Sequence, residues 1–139
     1  MRSLMFQLFV HSEPGGDPEM RYVTFRIHKT RKLFQAARKR DTKRYEGVKF
    51  DPDNEDTFGE TLTSPTSAQI RMSEEDLDES TLAHELFHAI YGIMPHNIKV
   101  WAALRRDVER QRFAEEQIAY LIQIVMSLFW EDWKNGQGG

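Results

Sequence analysis

The chain has 139 residues, 40% of them hydrophobic, which is enough for one domain with an ordinary core and excludes disorder of the whole chain. Its 19 Lys and Arg against 22 Asp and Glu give a net charge of −3, too balanced to indicate nucleic acid or acidic lipid as the principal partner. Cysteine is absent, which excludes disulfides, iron–sulfur clusters, cysteine nucleophiles and thiolate zinc sites.

The first part of the chain predicts two strands and a helix. Residues 4–10 and 22–27 are apolar and β-prone, and the segment between them contains two prolines and a Gly-Gly pair. From residue 30 the spacing of the apolar positions becomes helical, and residues 29–44 hold eight Lys or Arg. This pattern predicts a helix with a basic outer face, for which a solvated surface is favoured over a patch that binds nucleic acid or an acidic partner.

The middle of the chain predicts a loop followed by a hairpin. Residues 51–60 are acidic and include proline, asparagine and glycine, as is typical of a loop. Residues 57–63 and 68–72 flank a Ser-Pro-Thr-Ser turn and have the residue types of two paired strands.

The rest of the chain predicts helices. Ser73 is a suitable N-cap ahead of acidic residues, and the main helix is predicted over residues 79–91, with Gly92 and Pro95 as its stop signal. Asn97 is predicted to cap a further helix, and apolar periodicity predicts a last helix over residues 113–133.

Together these elements predict a single α+β domain over residues 1–134, with a mostly antiparallel N-terminal sheet, and a flexible tail over residues 135–139. Residues 4–10 lack the basic flank and cleavage pattern of a signal peptide and are interpreted as a strand. No window contains the roughly 18 consecutive apolar residues of a membrane span. A soluble, cytoplasmic protein without a membrane partner is therefore expected.

The motif that indicates chemistry is His84-Glu85-Leu86-Phe87-His88, an HExxH sequence within the predicted main helix. Side chains four residues apart on a helix are offset by about 40° and one turn, so both imidazoles can reach one ion from the same side. Glu85 points about 100° away from His84, which suits a general base acting on water better than a ligand of the same ion.

Catalytic zinc needs a third protein ligand and an open position for water. The available candidates are His96, Glu109, Glu115 and Glu116. The motif HExxHxxGxxH does not match, because Gly92 and His96 stand one and two residues beyond the required positions. On a helical wheel Glu116 belongs to a narrow polar wedge, from which a carboxylate could turn to a metal or simply face solvent.

Residues 68–130 resemble the thermolysin-like gluzincins. The resemblance covers a strand, the HExxH helix and a later helix that contains Glu116-Gln117-Ile118-Ala119. The chain is also similar in size to the minimal single-domain members of that family. The resemblance implies a small zincin-like fold in which His84, His88 and Glu116, rather than Glu115, hold one zinc ion. It also implies that the strand at residues 68–72 pairs with extended substrate. Where the family often has Asp or Asn to orient a zinc histidine, this chain has Tyr120, which would either make that hydrogen bond or pack in the core.

The activity implied is zinc-dependent hydrolysis of a protein or peptide substrate, with Glu85 transferring a proton from water to the leaving amine. Two alternatives stay open at this stage. One is a binding or regulatory module, associated with nucleic acid through residues 29–44, that keeps the metal only for stability. The other is a structural protein in which the motif is accidental.

Overall fold

The computed structural model of the protein describes residues 1–42, 58–104 and 107–137. Within these residues the chain forms four strands, β1 (Arg2–His11), β2 (Pro18–His28), β3 (Gly59–Thr63) and β4 (Ser67–Ser73). It also forms four α-helices, α1 (Arg31–Thr42), α2 (Glu79–Gly92), α3 (His96–Ala103) and α4 (Val108–Gln137). A short 3-10 turn, Glu74–Asp76, precedes α2.

The four strands form one mixed sheet in the order β1-β2-β4-β3. β1 and β2 pair antiparallel, as do β3 and β4, whereas β2 and β4 are parallel. Parallel neighbours require a crossover connection, and here the connection contains α1. The α+β class is confirmed, and two of the three strand pairs are antiparallel, as expected.

The hydrophobic core lies between one face of this sheet and the helices α2 and α4. Phe25 of β2 is in register with Ile70 of β4, and both side chains are fully buried. Phe129 of α4 packs on Phe25 with ring centroids 4.6 Å apart, while Leu82 and Leu86 bring the apolar side of α2 into the same cluster. Burying each such side chain contributes about 1.5–3 kcal/mol, so this face holds the two helices on the sheet.

α1 covers part of the opposite face of the sheet. Phe34 of α1 is fully buried. Arg38 of α1 forms an ion pair with Glu60 of β3, in which Arg38 Nε donates a 2.7 Å hydrogen bond to Glu60 Oε2, and both side chains are buried. The predicted basic outer face is present, since Lys39 and Arg40 are exposed. Residues 43–44 of the basic stretch lie outside the described residues.

α4 is longer than predicted, and it forms hydrogen bonds with both ends of β1. The Gln117 side chain accepts from His11 N at 2.8 Å and donates to His11 O at 2.9 Å. Near the other end of α4, Arg2 donates to the main-chain oxygens of Asp132 and Trp133. The helix begins at Val108 instead of residue 113 and continues to Gln137, within the segment predicted as a tail.

The predicted hairpin is present, with Ser64 N donating to Ser67 O at 2.8 Å across the turn between β3 and β4. The predicted loop over residues 51–60 is too long, because Gly59 and Glu60 belong to β3 and pair with β4. Residues 51–57, including the predicted strand start at residue 57, lie outside the described residues.

Two capping predictions have different outcomes. Ser73 Oγ accepts a hydrogen bond from Asp76 N, as an N-cap does, although it caps only the short 3-10 turn. The prediction for Asn97 is wrong, because α3 begins at His96, two residues earlier than a cap at Asn97 requires; its N-cap is Pro95, and no side chain caps it. The Asn97 amide instead donates to Ser12 O and connects α3 to the end of β1.

None of the helices formed by residues 1–42, 58–104 and 107–137 combines the length and the apolar character that crossing a membrane requires.

Candidate metal centre

The HExxH motif lies in the middle of α2, whose ends are set by local interactions. Asp78 Oδ1 accepts a 2.7 Å hydrogen bond from Thr81 N and caps the helix at its start. At the other end, a side chain on Gly92 would place its Cβ 2.5 Å from Thr63 Cγ2, so glycine is needed for the close approach of α2 to β3. The predicted helix is therefore confirmed, and it runs alongside the strand β3.

The two histidines lie on the outer side of α2. Leu86 and Ile90 are fully buried against the sheet, whereas His84, Phe87 and His88 are exposed. This separation follows from the helical repeat, because positions three and four residues apart share a face. Both imidazoles are therefore available to a ligand arriving from solvent.

The geometry of the two imidazoles suits a shared metal ion. His84 Nε2 and His88 Nε2 lie 3.3 Å apart, with ring centroids separated by 4.8 Å. Two nitrogens bound to zinc at about 2.0–2.1 Å with a tetrahedral angle are separated by about 3.3–3.4 Å. The distance between the two nitrogens therefore matches two positions of a tetrahedral zinc shell.

Glu85 is almost entirely buried and contacts the strand β3. Its side chain is only 7% exposed, and Glu85 Oε2 accepts a 2.5 Å hydrogen bond from Thr61 Oγ1. Thr61 Oγ1 also lies 3.2 Å from Glu85 O. The carboxylate passes so close to Gly59 that a Cβ there would be 2.8 Å from Glu85 Cγ. Gly59 and Thr61 therefore fix where the carboxylate can lie.

A cleft of about 400 Å³ lies between α2 and β3. Its lining includes Gly59, Thr61, Thr63, Glu85 and His88. One imidazole of the pair and the candidate base thus share a single cavity, and the cavity volume falls within the range of small-molecule sites. The arrangement can hold a small group between an imidazole and a carboxylate.

The strand predicted to pair with substrate is not available for that role. β4, which contains residues 68–72, is bonded to β2 on one side and to β3 on the other. Its main-chain groups are therefore already used by the sheet. The strand at the end of the sheet beside the cleft is β3, and among the described residues it has only β4 as a neighbour.

The predicted third ligand is not placed with the two histidines. Among residues 1–42, 58–104 and 107–137, no group of three His, Asp or Glu side chains is arranged to hold a metal. Glu116 is exposed on α4, and its neighbour Gln117 is attached to β1, at the other end of the sheet from β3.

The other candidates are also exposed. Glu115 accepts a 3.1 Å hydrogen bond from Gln111, while Glu109 lies in the first turn of α4 and His96 begins α3. Tyr120 is 62% exposed, so the interpretation as a core residue is wrong.

The sequence did not indicate a functional role for Gly59 or Thr61. Strand alternation in the predicted hairpin places residues 59 and 61 on one face, and that signal was present. Strand alternation does not indicate which helix covers that face, so the contact of Gly59 and Thr61 with Glu85 could not be predicted.

Comparison with family models, with curated proteins and with solved structures finds no match.

Proposed function

We propose that the protein is a zinc-dependent metallopeptidase with a zincin-like fold, in which His84 and His88 hold one zinc ion and Glu85 is the general base. The observation that supports this most directly is the 3.3 Å separation of the two Nε2 atoms, together with the buried Glu85, which lines the same cleft as His88. The HExxH spacing and its helix supply the same ligands and base in the gluzincins that the sequence resembles.

Zinc, when bound, polarises the scissile carbonyl and lowers the pKa of a coordinated water. Glu85 takes the proton of the attacking water and delivers it to the leaving amine, for which a carboxylate held at a defined position is required. Thr61 keeps that carboxylate in place through its hydroxyl. The edge of β3 runs along the same cleft and is suited to pairing with an extended peptide.

Glu116 is proposed as the third ligand on the basis of the resemblance. Its side chain is exposed and has no hydrogen bond or ion pair with another described residue, so no contact would be lost if it turned to a metal. Glu115 differs, because it is engaged with Gln111. Glu116 must still approach the histidines, since it is not grouped with them without metal.

The proposal is tested by cleavage of an unfolded protein and of a peptide library, each with and without EDTA. The zinc-loaded protein should cleave at least one of them, and EDTA should stop the cleavage. Glu85→Gln should reduce cleavage by about 10²–10⁴-fold, the usual contribution of a general base, while zinc content stays the same. Glu79→Gln, the same change at an exposed position of α2, is the matched control and should cleave normally.

Three results would contradict this assignment. Cleavage that survives EDTA would exclude a metal-dependent reaction. Equal cleavage by the Glu85→Gln variant and the parent protein would remove Glu85 as the base. Zinc binding without any chelator-sensitive cleavage would favour the alternative of a metal-stabilised binding module.

A further inference from the structure

A second pocket, of about 250 Å³, lies between α1 and the sheet face that points away from the metal centre. Arg26 and His28 reach it from β2 and Arg71 from β4, while Arg40 and Asp41 belong to α1. Residues two apart on a strand share a face, so Arg26 and His28 point to the same side of the sheet. The pocket is therefore built by three elements and is separate from the cleft beside α2.

The pocket has an excess of positive charge. Three arginines line it against one carboxylate, Asp41, which forms an ion pair with Arg71. Arg26 and Arg40 are exposed, and in the described part of the chain no carboxylate pairs with either of them. Two guanidinium groups are thus free to bind an anion in the pocket.

Two buried side chains of the same pocket each have one nitrogen without a hydrogen-bond partner. His28 is 8% exposed and Arg71 is 4% exposed, and neither His28 Nε2 nor Arg71 Nε has a partner among the described residues. Buried polar groups are nearly always paired, and an ordered water or ion is one way in which such an unpaired nitrogen is satisfied. A guanidinium Nε–H donates to an anion, and His28 Nε2 does so in the tautomer that carries the ring proton on that nitrogen.

The electrostatic environment of His28 is consistent with this. Burial lowers the pKa of His28 below its ordinary value, and the positive charges of Arg71, the amino terminus, Arg40 and Arg26 lower the pKa further. These positive charges therefore all act on one point in the pocket, the His28 ring. A bound anion at that point would offset their charge.

We propose that this pocket binds a phosphoryl group, either as inorganic phosphate or as the terminal phosphate of a small molecule. A phosphate dianion balances the two unpaired arginines, and its several acceptor oxygens match guanidinium forks. A nucleic-acid strand is less well suited, because its backbone phosphates would not reach the buried nitrogens of His28 and Arg71 in so small a cavity.

The test is calorimetric titration of the protein with inorganic phosphate and with methyl phosphate at constant ionic strength, with the His28 ring signals followed by NMR. One equivalent should bind, and the His28 signals should shift. The double variant R26Q/R40Q should bind at least tenfold more weakly and should unfold at the same temperature as the parent without phosphate, because both side chains are exposed and unpaired. Tighter binding of methyl phosphate would assign the site to a phosphomonoester, and tighter binding of inorganic phosphate to the free ion.

The double variant K32Q/K39Q is the matched control, since Lys32 and Lys39 are exposed cations on α1 that do not line the pocket, and it removes the same two charges. Its phosphate affinity should stay within twofold of the parent. An equal loss in K32Q/K39Q and R26Q/R40Q would mean that phosphate responds only to net charge and would overturn the proposal. Absence of binding, or an oligonucleotide that binds more tightly than both phosphates and depends on Arg26 and Arg40, would also overturn it.

Discussion

Thr61 Oγ1 donates a 2.5 Å hydrogen bond to Glu85 Oε2, which connects β3 to the acidic residue of the HExxH helix. The bond crosses from the strand at the end of the sheet to a carboxylate that is almost entirely buried. If Glu85 is the general base, then Thr61 is a positioning residue that acts through it.

Thr61→Val should lower kcat for peptide cleavage by about tenfold and leave KM and zinc content unchanged. The substitution keeps the shape of the side chain but removes the donor, which costs about the free energy of a hydrogen bond to a charged group. Thr63→Val is the matched control, because Thr63 lines the same cleft without a hydrogen bond to Glu85. A KM effect with unchanged kcat, or equal effects of the two variants, would argue against positioning by Thr61.

Gly59→Ala should reduce cleavage by displacing the Glu85 carboxylate. The new Cβ would lie 2.8 Å from Glu85 Cγ and 3.1 Å from Cδ, so the side chain would have to move. Gly16→Ala is a matched control, since its Cβ would meet Glu13 Cγ at the same distance of 2.8 Å in the turn between β1 and β2. We expect cleavage to fall at least fivefold in Gly59→Ala only, while zinc binding persists in both variants. Full activity of Gly59→Ala would show that the carboxylate position is not critical.

Glu116→Gln tests the third ligand. The resemblance to gluzincins predicts a zinc affinity at least about tenfold weaker than in the parent, since even groups that support metal ligands contribute this much. Glu115→Gln, one residue away and equally exposed, should bind zinc as the parent does. Equal zinc affinities for the parent and both variants would remove Glu116 from the ligand set.

Asp76→Asn should lower stability near neutral pH and have no effect in acid. Arg31 donates hydrogen bonds to Asp76, one of them 2.9 Å long from Nε, and these bonds hold the pKa of Asp76 below its ordinary value of 3.8. The hydrogen bond from Ser73 also lowers the pKa, whereas burial raises it. Because the folded pKa is lowered, the ionised carboxylate stabilises the fold above the ordinary value, and this stabilisation is lost as the pH falls through the folded pKa.

The expected loss in Asp76→Asn is about 1 kcal/mol by urea unfolding at pH 7, because Arg31 is half exposed and its ion pair is partly screened. The control is Asp17→Asn, which removes an exposed carboxylate in the turn between β1 and β2. A difference between Asp76→Asn and the parent that persists at pH 2 would mean that the carboxylate charge is not the cause.

Local signals in the sequence were enough to predict α2 and the histidine pair. The stop signal at Gly92 and Pro95 acts within a few residues of the helix end. His84 and His88 are four residues apart, and any α-helix places such positions next to each other. The same is true of the β3–β4 hairpin, whose turn residues lie next to one another in the chain.

Relationships between distant segments could not be predicted in this way. The position of β4 between β2 and β3 depends on parallel pairing across a long connection, so the strand at the sheet edge was misidentified. The placement of Glu116 depends on how α4 docks on β1 through Gln117, which helical periodicity does not encode. Periodicity says which residues share a face, but not what that face contacts.

The most direct test of the account is the zinc content of the purified protein after incubation with zinc and dialysis. The parent should retain one zinc per chain. His84→Ala and His88→Ala should each lose it while keeping their helical circular dichroism, because both side chains are exposed. His96→Ala, an exposed histidine at the start of α3, should retain zinc. A parent protein that retains no zinc, or His84→Ala and His88→Ala variants that retain as much as the parent, would contradict the proposed metal centre.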